Sequence, residues 1–176
     1  TQNQSSAASD VYKRQHNGEI NTFRGNKNWM KVHEQEMDSN LFEDIENLKP
    51  VIQPGTSDSA ALDNVFELLN ISGQPAPLAK LMLVPDAWSK KSKVLSKDHQ
   101  QLFNFLNSTM EPWDGPAAIA GTDNEWVIAA NDRNGLRPLR YTITKDKFLF
   151  AGSETGMIKL NEKKILAKGR LGPGEI

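Results

Sequence analysis

An Asn-Gly dipeptide near the start of the chain has the residue types that stabilise an oxyanion. Asn17 carries an amide NH2 donor, and Gly18 has no side chain to block its backbone N–H from a bound substrate. Negative charge grows on an amide oxygen under nucleophilic attack, and each fixed donor aimed at it is worth about 3–4 kcal/mol. The same dipeptide is common in tight turns, and these residues alone favour the turn over the oxyanion site.

Asp58 is a second candidate, at the start of a predicted helix that follows Gly55 and Thr56. A carboxylate in the first turn of a helix complements the helix dipole and accepts from free N–H groups. A carboxylate can also form charge-assisted hydrogen bonds, which are roughly twice as strong as neutral ones. Spacing alone favours the capping role.

The composition describes a globular chain of one domain. It has 176 residues, 38% hydrophobic and 24% charged, with a formal net charge of -1. This balance gives no electrostatic reason to expect a nucleic acid or a membrane surface as partner. No apolar run approaches the length of a membrane span and no signal peptide is recognisable, so the expected location is cytoplasmic.

The chain contains no cysteine, and this excludes several kinds of site. Disulfides, zinc-thiolate centres, iron–sulfur ligation and a thiol nucleophile are all impossible within these residues. His99 has no partners at helical spacing, so we predict a surface histidine and no metal site.

The first two-thirds of the chain predicts helices. Asn21 or Thr22 can cap the first, which should end between residues 37 and 40. The second follows Ser59 and stops at Gly73, and a short third helix covers 77–83. Ser96 should cap a fourth helix through residue 110, with four residues facing inward: Leu102, Phe103, Phe105 and Leu106.

From Gly115 onward, short apolar runs replace the helical period and predict strands. Turn signals at 123–124, 134–135 and 145–146 lie at hairpin spacing, which favours antiparallel pairing. The predicted strands cover 117–120, 126–130, 139–143, 148–151 and 164–168. Helices packed on an antiparallel sheet make the predicted fold class α+β.

Several charged groups are predicted to have structural or solvent-facing roles. Glu34, Glu36 and Asp38 are interpreted as a solvated face, and the arginines as ion-pair partners flanking a turn. Lysines without aromatic neighbours predict an exposed connector and no nucleic-acid site. The arginines are Arg133, Arg137 and Arg140, and the lysines are Lys90, Lys91, Lys93 and Lys97.

Taken together, several segments resemble the glutaminase domain of the glutamate synthase family, in its order. That domain is a class II glutamine amidotransferase of the N-terminal-nucleophile hydrolase superfamily. The resemblance covers about residues 16–176 and implies part of a four-layer αββα sandwich with antiparallel sheets. It rests on segments 16–22, 24–26, 28–30, 55–60, 110–116, 132–138 and 168–174.

The resemblance also implies roles for the candidate residues. Asn17 and Gly18 would stabilise the oxyanion, and Asp58 would pair with the α-ammonium of the substrate glutamine. The parent enzyme would hydrolyse glutamine and channel the ammonia to 2-oxoglutarate, making glutamate. It would use FMN, iron–sulfur clusters and NADPH, NADH or ferredoxin, with no cofactor in this segment. Its partners would be the synthase domains of the same chain and a reductase small subunit.

Two departures from the family bear on activity. The N-terminal Cys nucleophile is missing, and so is the Arg upstream of the His-Asn-Gly sequence that would bind the substrate carboxylate. Residues 1–15 are polar and do not resemble the family, so we predict an unrelated or disordered lead-in there. Residues 16–176 would then be the C-terminal part of the glutamine amidotransferase domain. Thr1 is a poor nucleophile candidate because no buried strand follows it. We therefore expect an inactive chain.

Two alternatives remain. One is a noncatalytic amidotransferase-like module that binds an amino acid or a partner, in which the missing Cys would be native. The other is a different class II amidotransferase, such as those that make purine precursors, glucosamine phosphate or asparagine. Those enzymes lack the features seen here at Trp29, Trp113 and 168–174.

Overall fold

The computed structural model describes residues 14–86 and 96–176, apart from the side chains of 14–17. A first strand, β1, leads into four helices, and five further strands follow. The helices are α1 (Phe23–Glu36), α2 (Asp58–Ile71), α3 (Ala76–Leu83) and α4 (Lys97–Thr109). The strands are β1 (Arg14–Gly18), β2 (Ala117–Thr122), β3 (Val127–Asn131), β4 (Arg140–Thr144), β5 (Leu149–Gly152) and β6 (Ile165–Arg170).

The helices begin and end close to the predicted positions. Ser57 and Ser96 cap α2 and α4, accepting hydrogen bonds from the N–H groups of Ala60 and His99. The predicted cap of α1 is not made. Thr22 occupies the N-cap position, but its hydroxyl donates to Asn26 Oδ1 at 2.6 Å. The same hydroxyl also accepts from the distant Asp114 N–H, so a tertiary contact replaces the predicted cap.

Two three-stranded antiparallel sheets form, in the orders β1-β2-β3 and β5-β4-β6. The fold class predicted from the sequence, α+β with antiparallel sheets, is confirmed. The turns at 123–124 and 145–146 close the hairpins β2-β3 and β4-β5, as predicted. The hairpin expected at 134–135 is wrong, because β3 and β4 belong to different sheets and both edges of β4 pair with β5 and β6.

The main core lies between the helices and the β1-β2-β3 sheet. The buried face of α2 comprises Ala61, Leu62, Val65, Phe66 and Leu69. Leu83 of α3, Trp113, Ile119 and Ala130 are also almost fully buried. Close packing of these side chains holds β1 against α2.

Two expectations about side-chain burial are wrong. Phe103 and Leu106 of α4 are buried, but Leu102 and Phe105 are 38% and 63% exposed. The helix packs through one narrow face, and residues adjacent to that face in sequence point elsewhere. Glu34 is also more than a solvated acid, since its carboxylate accepts a hydrogen bond from the Val51 N–H at 2.7 Å.

The remaining surface predictions have mixed outcomes. His99 and Lys97 are exposed, as predicted. The disordered or irregular lead-in predicted for residues 1–15 is wrong at Arg14 and Gln15, because their backbones pair with β2 as the start of β1. The predictions for residues 1–13 and for Lys90, Lys91 and Lys93 lie outside the described residues. No helix in 14–86 or 96–176 is both long enough and apolar enough to cross a membrane.

Candidate functional site

The end of β1 presents its backbone donors in two opposite directions. The Glu19 N–H donates to the carbonyl of Pro116 at 3.0 Å, in the ladder that joins β1 to β2. Donors of successive residues alternate between the two sides of an antiparallel strand. The N–H groups of Gly18 and Ile20 are therefore directed to the other side, away from β2.

The ladder is close enough at this point that glycine is required. A Cβ on Gly18 would overlap the carbonyl of Pro116, and a Cβ on Gly115 would overlap the carbonyl of Glu19. Asn17 and Gly18 end strand β1 and do not form the tight turn that the dipeptide allows. Gly18 is needed because the backbones of the two strands lie too close together here for a side chain.

Asp58 connects α2 to the same side of β1. One carboxylate oxygen accepts from the Ile20 N–H at 2.8 Å, and the other accepts from the Ser59 N–H at 2.7 Å. The carboxylate is half-buried at the helix N-terminus. Ile20 follows Gly18 by two residues, so their N–H groups point the same way about 7 Å apart. Asp58 thus lies near the Gly18 donor.

The sequence-predicted residues are brought together only in part. Gly18 and Asp58 share one strand edge, as the geometry above shows. The backbone of Asn17 pairs with Ala118 in β2, but its side chain lies outside the described residues. The structure therefore gives the setting of two of the three candidates.

Two polar side chains at the start of α1 hold the segment that precedes β2. The hydroxyl of Thr22 accepts from the Asp114 N–H at 2.9 Å, and Asn26, which is buried, donates to the Pro112 carbonyl at 3.1 Å. The segment 110–116 is thereby held against the start of α1. Arg133 lies 3.9 Å from the Asp114 carboxylate, in agreement with its predicted ion-pair role. The same prediction is wrong for Arg137 and Arg140 within the described residues, where neither has an acidic partner within 4.0 Å.

Asp132 organises the loop that follows β3, a role that sequence reasoning missed. Its side chain is fully buried and accepts four backbone hydrogen bonds of 3.0–3.1 Å. The donors are Ala117, Asn134, Leu136 and Arg137. Ala117 is the register partner of Gly18, so Asp132 supports the strand next to the candidate site. From the sequence, the position of Asp132 before a turn could have indicated that it caps the turn, but not that it is buried.

Lys80 is the second residue that sequence reasoning missed. It is 1% exposed, and its ammonium donates to the Gly174 carbonyl at 2.7 Å. Burial lowers the pKa of Lys80 from 10.5 to about 8, although the charges of Asp86 and Asp132 oppose that shift. In the sequence, a single lysine within an otherwise apolar helix could have indicated that this residue is buried.

A cavity of about 490 Å³ lies elsewhere, on the β5-β4-β6 sheet, and neither Gly18 nor Asp58 lines it. Among the described residues, no group of three or more His, Asp or Glu side chains could hold a metal ion. At the end of β1, the described groups that could contact a ligand are backbone N–H donors and the Asp58 carboxylate.

Comparison with known proteins places these features in a family. The family model described as "Glutamine amidotransferases class-II" matches residues 6–176. The chain is 54% identical to the NADPH glutamate synthase large chain of Azospirillum brasilense over 92% of its length. It is 47% identical to the NADH glutamate synthase of Saccharomyces cerevisiae and 43% identical to the ferredoxin-dependent glutamate synthase of Antithamnion sp., each over 92% of the chain. The match spans only 8–11% of these three relatives.

Proposed function

Since the chain belongs to the class II glutamine amidotransferases, we propose that it is the part of a glutamate synthase that binds glutamine and stabilises the oxyanion formed at its amide. The substrate is glutamine, and the reaction is hydrolysis of its side-chain amide. The proposal assigns roles to Asn17, Gly18 and Asp58.

One observation carries the proposal. The Gly18 N–H lies on the same side of β1 as the Ile20 N–H, which donates to Asp58 and is about 7 Å farther along the strand. A donor for the amide oxygen and a carboxylate for the ammonium therefore lie on one side of the strand, where a single glutamine can contact both.

The carboxylate of Asp58 retains acceptor capacity for a ligand. A carboxylate offers about four lone-pair positions, and the Ile20 and Ser59 N–H groups occupy two of them. Those two bonds also fix the side chain, so its charge is preorganised. In the proposal, Asn17 supplies a second donor to the oxyanion through its side-chain amide.

The chain's own residues do not supply the nucleophile. The attack on the amide carbon requires a thiolate in this family, and the chain has no cysteine. We therefore assign residues 16–176 to the C-terminal part of the domain and leave the nucleophile to another part of the parent protein. The same absence means that cysteines of other segments would ligate any iron–sulfur cluster of the parent. We also assign its FMN site and its NADPH, NADH or ferredoxin donor to other segments.

In the parent, the ammonia would pass to the synthase domains and aminate 2-oxoglutarate.

A chimera tests the proposed function. Residues 16–176 would replace the matching segment of the A. brasilense large chain, to which the chain is 54% identical. We expect the chimera to make glutamate with glutamine as nitrogen donor. Asp58→Asn in the chimera should raise the KM for glutamine at least tenfold, because the ammonium loses a charged partner.

Synthesis of glutamate from free ammonia is the internal control, because it bypasses the glutaminase site. A chimera that uses ammonia but not glutamine would contradict the proposed function. Asp38→Asn, at an exposed acid in the same domain, is the matched variant and should leave the KM unchanged.

A further inference from the structure

The 490 Å³ cavity on the β5-β4-β6 sheet is not used by the proposed function. Residues of all three strands line it, together with residues 154–158 and Leu160 of the segment that follows β5. A volume in this range suits a small organic ligand. The cavity is therefore a candidate binding site in its own right.

Three cations lie on one face of this sheet. Arg140 of β4 pairs in register with Arg170 of β6, and Thr142 pairs with Lys168. Residues two apart on a strand share a face, so the three cationic side chains project from the same surface. All of these residues line the cavity.

The arrangement of these cations is electrostatically unfavourable. Like charges placed directly opposite each other on antiparallel strands are destabilising, yet Arg140 and Arg170 occupy such positions. Glu154 and Glu162 also line the cavity. In the described part of the chain, however, no ion pair within 4.0 Å neutralises Arg140, Lys168 or Arg170. An anion between the two guanidinium groups would relieve their repulsion.

Apolar side chains also line the cavity. Met157 packs over Gly152 of β5, which is the register partner of Arg140. Ile158 and Leu160 line the cavity from the segment after β5, and Phe150 lines it from β5 itself. A ligand that fills the cavity would contact both hydrocarbon and guanidinium groups.

We propose that this cavity binds a small organic anion with an apolar body, whose carboxylate or phosphate group is held between Arg140 and Arg170. Planar guanidinium groups present donors in pairs that match the two oxygens of such groups. The apolar body would lie against Met157 and Ile158. The site is independent of Gly18 and Asp58.

Benzoate and phenyl phosphate are suitable probes, with neutral benzamide as the control ligand. In amide-resolved NMR titrations, we expect saturable shifts at Thr142, Met157 and Gly169 with one or both anions and none with benzamide. The Arg140→Gln/Arg170→Gln double variant should bind at least about tenfold more weakly. The matched Lys31→Gln/Lys145→Gln variant removes the same charge at exposed residues outside the cavity and should bind normally. Equal binding by both variants, or equal shifts with benzamide, would overturn the proposal.

A second measurement needs no substitution. Phenylglyoxal modifies accessible arginines, and the modified residues can be identified by peptide mass mapping. A saturating anionic probe should protect Arg140 and Arg170 and leave the exposed Arg24 of α1 as reactive as before. Unchanged modification of Arg140 and Arg170 would contradict the site.

Discussion

At the scale of single residues, Asp58 serves the fold and, in the proposed function, the ligand. Its two bonds to backbone N–H groups join α2 to β1. These bonds hold the carboxylate in one orientation before any substrate arrives. The same contacts that stabilise the domain therefore prepare the charge that recognition needs.

Replacing Asp58 by alanine tests the structural part of this role. Both N–H groups would lose their acceptor, and we expect the free energy of unfolding to fall by about 1–3 kcal/mol. Urea denaturation followed by circular dichroism measures this. Asp38→Ala removes an exposed acid and should change stability by less than about 0.5 kcal/mol. Equal effects of the two variants would show that the contacts to Ile20 and Ser59 contribute little.

Lys80 predicts a pH dependence of stability. In the unfolded chain the ammonium keeps its proton up to about pH 10.5, but in the folded chain the pKa is about 8. Between these values the unfolded state binds more protons, so stability contributed by this group rises with pH across the window. Below pH 8 both states are protonated and the full cost of burying the charge is present.

The measurement is a comparison of wild type with Lys80→Met, which keeps the length of the side chain without its charge. From pH 8 to pH 10.5, the unfolding free energy of wild type should rise relative to that of the variant by about 3 kcal/mol at most. Parallel pH profiles for the two proteins would rule out the shifted lysine as the cause.

At the scale of elements, the contact between β1 and the segment leading into β2 depends on glycine. Gly18→Ala would place a methyl group on the Pro116 carbonyl. We expect a loss of about 1–3 kcal/mol in unfolding free energy, because the ladder must shift to make room. Gly25 is the matched control, since nothing lies within 4 Å of its added Cβ in helix α1.

Gly25→Ala should stabilise the protein by about 0.5–1 kcal/mol, because alanine is the better helix former. Thermal and urea unfolding of both variants give the comparison. A Gly18→Ala protein as stable as wild type would show that the strands separate without cost at this point.

The elements themselves were largely predictable. Periodicity and capping residues act over a few positions, and they located α2, α3, α4 and strands β2 to β6 within a few residues, but not β1. Errors occurred where a distant group decided the outcome. Asp132 captures the N–H groups around 134–137, so a turn signal there does not produce a hairpin.

At the scale of the whole molecule, activity depends on a residue type that the chain lacks. We expect no measurable release of ammonia from glutamine by the purified chain, because loss of a catalytic nucleophile costs several orders of magnitude in rate. A coupled ammonia assay measures this, with the A. brasilense enzyme as positive control. Ammonia release that remains with the chain after a second purification would contradict the expectation.

The sequence by itself determined the element types, the antiparallel pairing, the absence of thiol chemistry and, through several ordered segments, the family. These properties depend on local patterns and on residue identity. Only the tertiary structure decided that Gly18 and Asp58, 40 positions apart, face one side of β1, and that Lys80 and Asp132 are buried. Such contacts arise when the chain closes on itself, and no short-range pattern specifies which distant groups then meet.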